Sequence, residues 1–245
     1  MTRRRTILGM IGGAAFAAGA KVAVIAHRGE HLAHAENTVA AIDAAIRLGS
    51  DFVEIDVRTT RDGAFVLMHD AGVERMTGGK GMVAELSLAQ IRELRMNGER
   101  VPTLDEALDT MRGRCGVYLD AKAIGAEAIV AALTRHRMMD RAVVYGGFAL
   151  LAELAQRGHG GVVMPEAVSV ERLRKSLDEL KPRVVAFDRR DFRDEVIAVA
   201  REAGVGIFVD RLGADDNSSA WNDAVRRGAT GIQTDHPAEL AAMLR

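Results

Sequence analysis

The sequence predicts a parallel (β/α)8 barrel of the TIM type, with a short β-hairpin added after its second strand. Short runs rich in Val, Ile and Phe alternate with longer Ala-, Leu-, Arg- and Glu-rich segments along most of the chain. Eight such runs can be counted, the number that closes a parallel barrel, and 245 residues suit one domain of that architecture. Arg61-Asp62-Gly63 carries a turn signal directly behind the second run. An open doubly wound sheet is the rival arrangement for the same alternation.

The expected strands are 22–27, 52–58, 116–122, 142–145, 161–164, 184–187, 206–210 and 231–234. Between them, helical patterns run over 38–48, 104–111, 126–136, 150–156, 170–180, 194–203 and 219–227. Gly49, Gly158, Gly204 and Gly228 follow several of these segments, where a left-handed C-cap is expected. Residues 71–102, rich in Gly, Met and charge, break the alternation and read as a loop excursion with a helix near 88–94. A two-residue Asp62-Gly63 turn would set Arg61 opposite Ala64 and, counting outward, Asp56 opposite His69. A longer turn shifts that register by one.

Residues 1–20 stand apart from this pattern. Arg3-Arg4-Arg5 precedes an apolar stretch ending in Ala18-Gly19-Ala20, the order of an export signal, and Arg4-Arg5 resembles a twin-arginine leader. The expectation is an exported protein, periplasmic or extracellular, by a twin-arginine or Sec route, with residues 21–245 forming one domain. A retained membrane anchor or a basic tail is the alternative. Lys and Arg number 33 against 34 Asp and Glu, so no basic excess points to nucleic acid. The lone Cys115 cannot form an intrachain disulfide.

Chemistry concentrates between Ile25 and Asp70. Glu54 and Asp56 lie two apart on an expected strand and so share a face. Turned into a barrel, two carboxylates are badly desolvated without a cation, and all-oxygen ligands suit Mg²⁺ or Ca²⁺. Asp120 and Lys122 repeat the spacing on the next strand, offering a third carboxylate and a fixed positive charge. Ion pairs between neighbouring strands are the competing explanation. His27 and His69 form a candidate acid–base pair, and Arg28 offers a fork that matches phosphate. Asn37 and Thr38 read as helix caps, while Glu36 lies between a cap and the site. His31 and His34 raise a zinc reading with His27, but no Cys or second His cluster completes a set. His136, His159 and His236 read as surface or helix-end residues, and Asp210 and Asp235 as mouth contacts or helix caps.

His27-Arg28-Gly29, Glu36-Asn37-Thr38, Glu54-x-Asp56, Thr60-x-Asp62-Gly63 and His69-Asp70 resemble, in order and spacing, the glycerophosphodiester phosphodiesterase family. Arg75-x-Thr77, Pro102-Thr103-Leu104, Asp120-x-Lys122 and Gly231-Ile232-x-Thr234-Asp235-x-Pro237 extend the resemblance to nearly the whole chain after residue 23. The resemblance implies a barrel hydrolase that cleaves glycerol-phospho-alcohols to glycerol 3-phosphate and an alcohol. It implies one divalent cation, Ca²⁺ or Mg²⁺, on Glu54, Asp56 and Asp120, with His27 and His69 as general acid and base. Arg28, Lys122 and Glu36 would contact substrate, a small molecule, with peripheral lipid contact a further expectation.

Three positions depart from the family pattern. Asp120 stands where the family has Glu, Gly147-Phe148 replaces Ser-Phe, and Phe208-Val209-Asp210 lacks the family's Trp. These bear on head-group choice more than on reaction class. A phospholipase D-like hydrolase of lysophospholipids or sphingomyelin, with residues 71–102 lining an acyl groove, is one rival. A non-catalytic phosphodiester-binding barrel is the other.

Overall fold

The computed structural model describes residues 21–245; the expected export signal lies outside the described residues. The chain order is β1 (Ala23–Ala26), α1 (Val39–Leu48), β2 (Phe52–Thr59), β3 (Phe65–Leu67), α2 (Glu74–Thr77), α3 (Leu88–Glu93), β4 (Arg95–Met96) and β5 (Glu99–Arg100). It continues with α4 (Leu104–Met111), β6 (Gly116–Ala123), α5 (Ala126–Arg135), β7 (Ala142–Tyr145), α6 (Phe148–Leu154) and α7 (Val170–Leu180). The last elements are β8 (Val184–Phe187), α8 (Asp194–Glu202), β9 (Gly206–Asp210), α9 (Ser218–Arg226), β10 (Gly231–Thr234) and α10 (Pro237–Met243). Parallel strands run in the order β7-β6-β2-β1-β10-β9-β8, with β3 antiparallel on β2. This is the expected barrel, nearly closed.

The barrel's gap has a sequence cause. The strand expected at 161–164 begins as a 3₁₀ turn over Gly160–Val162 and only then extends. Pro165 has no N–H to donate, so the segment makes isolated parallel bridges, Val144 to Val163 and Glu166 to Ala186. Backbone bonds from Met164 N to Val144 O (2.9 Å) and Ala186 N to Pro165 O (3.0 Å) stitch β7 to β8 through it.

Ile25, Phe52, Tyr118, Val143, Met164, Val184, Ala186 and Phe208 form one buried cluster spanning strands from all round the barrel, with the Phe52 and Phe208 rings edge to face at 5.5 Å. The four expected C-cap glycines all take positive φ. One further helix, α10, opens on Pro237 in its first turn, a start signal that the strand-by-strand reading passed over.

The hairpin forms, but one residue out of the expected register. Val57 faces Leu67, Arg58 faces Val66 and Thr59 faces Phe65. Thr60 N–H bonds Ala64 O at 2.8 Å, so the loop holds three residues, and Gly63 takes φ 82° to close it. Met68 N, not His69, therefore bonds the Asp56 carbonyl (3.0 Å). The excursion at 71–102 also differs from a plain loop. Val66, Met68, Val73, Val83, Ile91, Met96 and Val101 bury one another in a small core of their own, beneath α3 with its Ser87–Gln90 capping box. Turned inward like this, the excursion lines neither cavity described below. Among the described residues no helix is long and apolar enough to cross a membrane.

Candidate active site

Behind β1 the chain turns sharply, with Arg28 and Gly29 both at positive φ (53° and 84°). A Cβ on Gly29 would stand 2.7 Å from the Ala41 carbonyl carbon, so the turn lies against α1 and requires glycine. This turn aims Arg28 into the mouth. Its N–H donates to Glu54 Oε2 (2.9 Å), its Nε lies 3.1 Å from Asp56 Oδ2, and its Nη1 donates to Glu36 Oε1 (3.2 Å).

Asp56 and Asp120 sit side by side on β2 and β6, in register. Together with Glu54 they bring one carboxylate oxygen each to within 4.8 Å of one another. Burial, then the charges of Asp56 and Asp120, push Glu54 well above the usual carboxylate range. Burial likewise raises Asp120, against the opposing hydrogen bond from Lys122. Lys122 Nζ reaches Asp120 Oδ2 at 2.7 Å and Asp56 at 3.4 Å, so part of the competing ion-pair explanation is correct. Glu54 has no lysine partner, and three converging carboxylates exceed what the Lys122 ammonium and the Arg28 guanidinium offset. The all-oxygen set fits a hard divalent cation, and the shorter Asp120 side chain still reaches the group.

Asn37 corrects the capping expectation. Thr38 alone caps α1, its hydroxyl accepting from Ala41 N at 3.1 Å. Asn37, fully buried at φ 59°, instead grips Asp56 twice: its Nδ2 donates to Oδ2 (2.8 Å) and its Oδ1 accepts from the Asp56 N–H (3.0 Å).

Both histidines have a carboxylate on Nδ1. Asp235 Oδ1 lies 2.7 Å from His27, and Asp70 Oδ1 lies 2.7 Å from His69. A neutral imidazole donating from Nδ1 leaves Nε2 free to exchange a proton. Burial would raise Asp235, but the hydrogen bond and charge of His27 hold it below its usual range. Hydrogen bonds from Arg75, then His69, hold Asp70 far lower still. Arg75 also donates to Glu36, so Arg28, Glu36, Arg75, Asp70 and His69 form one chain along the rim. His69 joins the site from this rim, where its charge acts on Asp120.

His31 completes a group with His27 and Asp235, its Nε2 3.4 Å from that carboxylate. Its Nδ1 is engaged with the His27 carbonyl (2.8 Å), and His34 is not part of the group. His136 is buried rather than superficial, held between Asp105 (2.7 Å) and Asp109 (3.0 Å) at the end of α5.

A cavity of about 230 Å³ is lined by His27, Arg28, Glu54, Asp56, Asp120 and Lys122 but not by His69, which stays on the rim, and its other wall carries Tyr118, Tyr145, Glu166, Asp188, Asp210 and Gln233. The sequence marks Asp210 as a mouth contact or helix cap and leaves Glu166 and Asp188 unmarked; the signal for Asp188 is its position directly behind Phe187, as Asp210 closes its own strand. A second groove of about 720 Å³ shares Asp120, Lys122, Tyr145 and Glu166 and runs outward past Phe148 and Leu151.

Such a mouth defines a barrel suited to a phosphorylated ligand beside a hard cation, with proton carriers at hand. Residues 27–142 match the glycerophosphoryl diester phosphodiesterase family. A glycerophosphodiester phosphodiesterase of Caldanaerobacter subterraneus is 42% identical over 97 residues, 36% of this chain and 40% of that protein. Glycerophosphodiester phosphodiesterase 1 of Mus musculus is 39% identical over 113 residues, 42% of this chain and 34% of that protein. The aligned stretches thus span less than half of these relatives. A crystal structure of the enzyme of that name from Agrobacterium tumefaciens superimposes with a TM-score of 0.81 at 26% identity, covering 90% of this chain and 99% of that one. An Oleispira antarctica phosphodiesterase, in complex with the product sn-glycerol-3-phosphate, shares the fold at TM-score 0.78 and 24% identity, covering 90% of this chain and 95% of that one. Over residues 27–142 the chain belongs to the glycerophosphodiester phosphodiesterase family, and its described fold is that of the family's solved structures.

Proposed function

We propose that this chain hydrolyses glycerophosphodiesters to glycerol 3-phosphate and a free alcohol, with a divalent cation on Glu54, Asp56 and Asp120. The observation that carries the reading is the convergence of that carboxylate trio with Arg28, Lys122 and two carboxylate-backed histidines at one barrel mouth. The cation, when bound, would offset negative charge on the phosphoryl oxygens. Arg28 and Lys122 add fixed positive charge to the same space, held in place by Asp56, Glu36 and Asp120. One histidine takes a proton through Nε2 from the attacking hydroxyl, either water or the substrate's glycerol hydroxyl, in which case a cyclic phosphate forms and water opens it to glycerol 3-phosphate in a second step. The other gives one to the departing alkoxide, so the proton count balances over the cycle. Asn37 keeps Asp56 from rotating out of this set.

Thorough chelation with EDTA is expected to abolish release of glycerol 3-phosphate from glycerophosphodiesters, and added Mg²⁺ or Ca²⁺ to restore it. Full turnover by the chelated protein would overturn the reading. The groove past Phe148, Leu151, Pro165 and Val168 favours a second reading, an acylated substrate with its chain in that groove. Comparing lysophosphatidylcholine with glycerophosphocholine separates the two. We further propose export by the leader at residues 1–20, tested by sequencing the N-terminus of the protein from cell fractions.

A further inference from the structure

The two walls of the mouth are unlike in charge. On the β2–β6 wall every carboxylate except Glu54 has a cationic partner, whether Arg28, Lys122 or Arg75. Across the cavity, Glu166, Asp188 and Asp210 stand at the ends of the Pro165 segment, β8 and β9. Glu166 accepts from the Tyr145 hydroxyl and Asp188 from the Arg190 N–H (2.8 Å), but no salt bridge joins any of the three to a Lys, Arg or His among the described residues. Arg211, next to Asp210 in the chain, turns away to the Ala220 carbonyl and stacks over Phe192 at 4.9 Å. Burial, then the charges of Asp188, Glu166 and Asp120, push Asp210 up to about 7.

A separate observation points to a ligand. Gln233 is paired in register with Asp210, is 5% exposed, lines the cavity, and its Oε1 has no hydrogen-bond partner. A buried acceptor without a donor is costly unless a ligand supplies one. Tyr118 and Tyr145, ring centroids 6.2 Å apart, complete the wall with aromatic surface. Acceptors, carboxylates without a salt-bridge partner and tyrosine rings together select a positively charged group. A neutral polyol satisfies the acceptors but leaves the mutual repulsion of the carboxylates in place.

We infer that Glu166, Asp188, Asp210 and Gln233 form the subsite for the leaving alcohol and select a cationic one, an amino- or trimethylammonio-alcohol. The inference rests on the proposed diesterase reaction and names its substrate class. The positive end of the alcohol sits against this wall while its phosphate faces Arg28, Lys122 and the carboxylate trio. The cleft thus has a polarity opposite to that of the zwitterionic diester.

Two measurements test it. With metal present, kcat/KM for glycerophosphocholine and glycerophosphoethanolamine is expected to exceed that for glycerophosphoglycerol and glycerophosphoinositol by ten-fold or more. Asp210→Asn and Glu166→Gln should each reduce that ratio several-fold, chiefly through KM for the cationic substrates. A wild-type ratio at or below one, or a ratio unmoved in both variants, overturns the subsite. Calorimetry with choline and its neutral isostere 3,3-dimethyl-1-butanol reads the wall without turnover. Choline should bind at least ten-fold tighter than the isostere to the wild type, and this margin should shrink in Asp210→Asn. Equal binding overturns the subsite even if diesters are cleaved. Choline-selective binding without cleavage of any diester upholds the subsite and sinks the reaction.

Discussion

His27 and His69 have the same atomic arrangement, an imidazole with a carboxylate at 2.7 Å on Nδ1, yet the chain builds them by opposite routes. His69 takes its carboxylate from the next residue, Asp70, on an open rim where the imidazole is 36% exposed. His27 takes it from Asp235, 208 residues away, because β1 and β10 are neighbours in the barrel and Ala26 pairs with Thr234. Its side chain is 15% exposed. One dyad is local and wet, the other topological and enclosed. The orientation of His27 therefore depends on closure of the whole barrel, and that of His69 on a few rim residues.

The largest effect expected from breaking this comparison comes from the imidazoles themselves. His27→Ala and His69→Ala should each lower kcat by about 10²- to 10⁴-fold, the range for a general acid or base, with little change in melting temperature. Steady-state kinetics beside thermal unfolding reads both, and normal turnover in either variant removes that residue from the acid–base pair. The orienting carboxylates come next and should separate the dyads. Asp235→Asn is expected to cost about 10²-fold in kcat and Asp70→Asn about ten-fold, because water can replace a rim carboxylate more readily than an enclosed one. Equal losses would show that enclosure is irrelevant.

Asn37→Ala should act on stability, by about 1–3 kcal/mol in chemical unfolding, since it strips two hydrogen bonds from buried Asp56. An unchanged unfolding midpoint would return Asn37 to the role of a mere cap neighbour. The smallest effect is on pH dependence. Asp70 and Asp235 both have folded pKa values below their usual range. Each therefore stabilises the fold above an unfolded pKa of about 4, and that contribution is lost as pH falls through the lower folded value. Melting temperature should fall on acidification below about pH 4, and Asp70→Asn should flatten that fall more than Asp235→Asn.

The same contrast explains what the sequence made legible. Regular β-branched runs announced seven of the barrel strands, and the pairs Glu54/Asp56 and Asp120/Lys122 announced the carboxylate cluster and its lysine through their two-residue spacing. Asp70 was visible because it adjoins His69. Asp235 was seen only as a strand-end acid, since nothing local ties it to His27. Asn37 looked like a cap because its true partner, Asp56, lies across the barrel wall. Glu166 and Asp188 escaped notice because no motif surrounds them. The hairpin register failed by one residue because Asp62-Gly63 signals a turn without fixing its length.

The Gly160-to-Pro165 segment has a dynamic consequence. A barrel sheds its outer strands' hydrogen exchange protection where the ladder is thinnest, and here that place is the junction between β7 and β8, held by two isolated bridges. Amides at Met164 and Ala186 should exchange faster than those at Ile55 or Leu119, on the continuously laddered β2–β6 side. Breathing at that junction would move Glu166 while Asp56 and Asp120 stay still. On the proposed diesterase reading, one wall of the cleft then yields to alcohols of different bulk while the other keeps the phosphate in place.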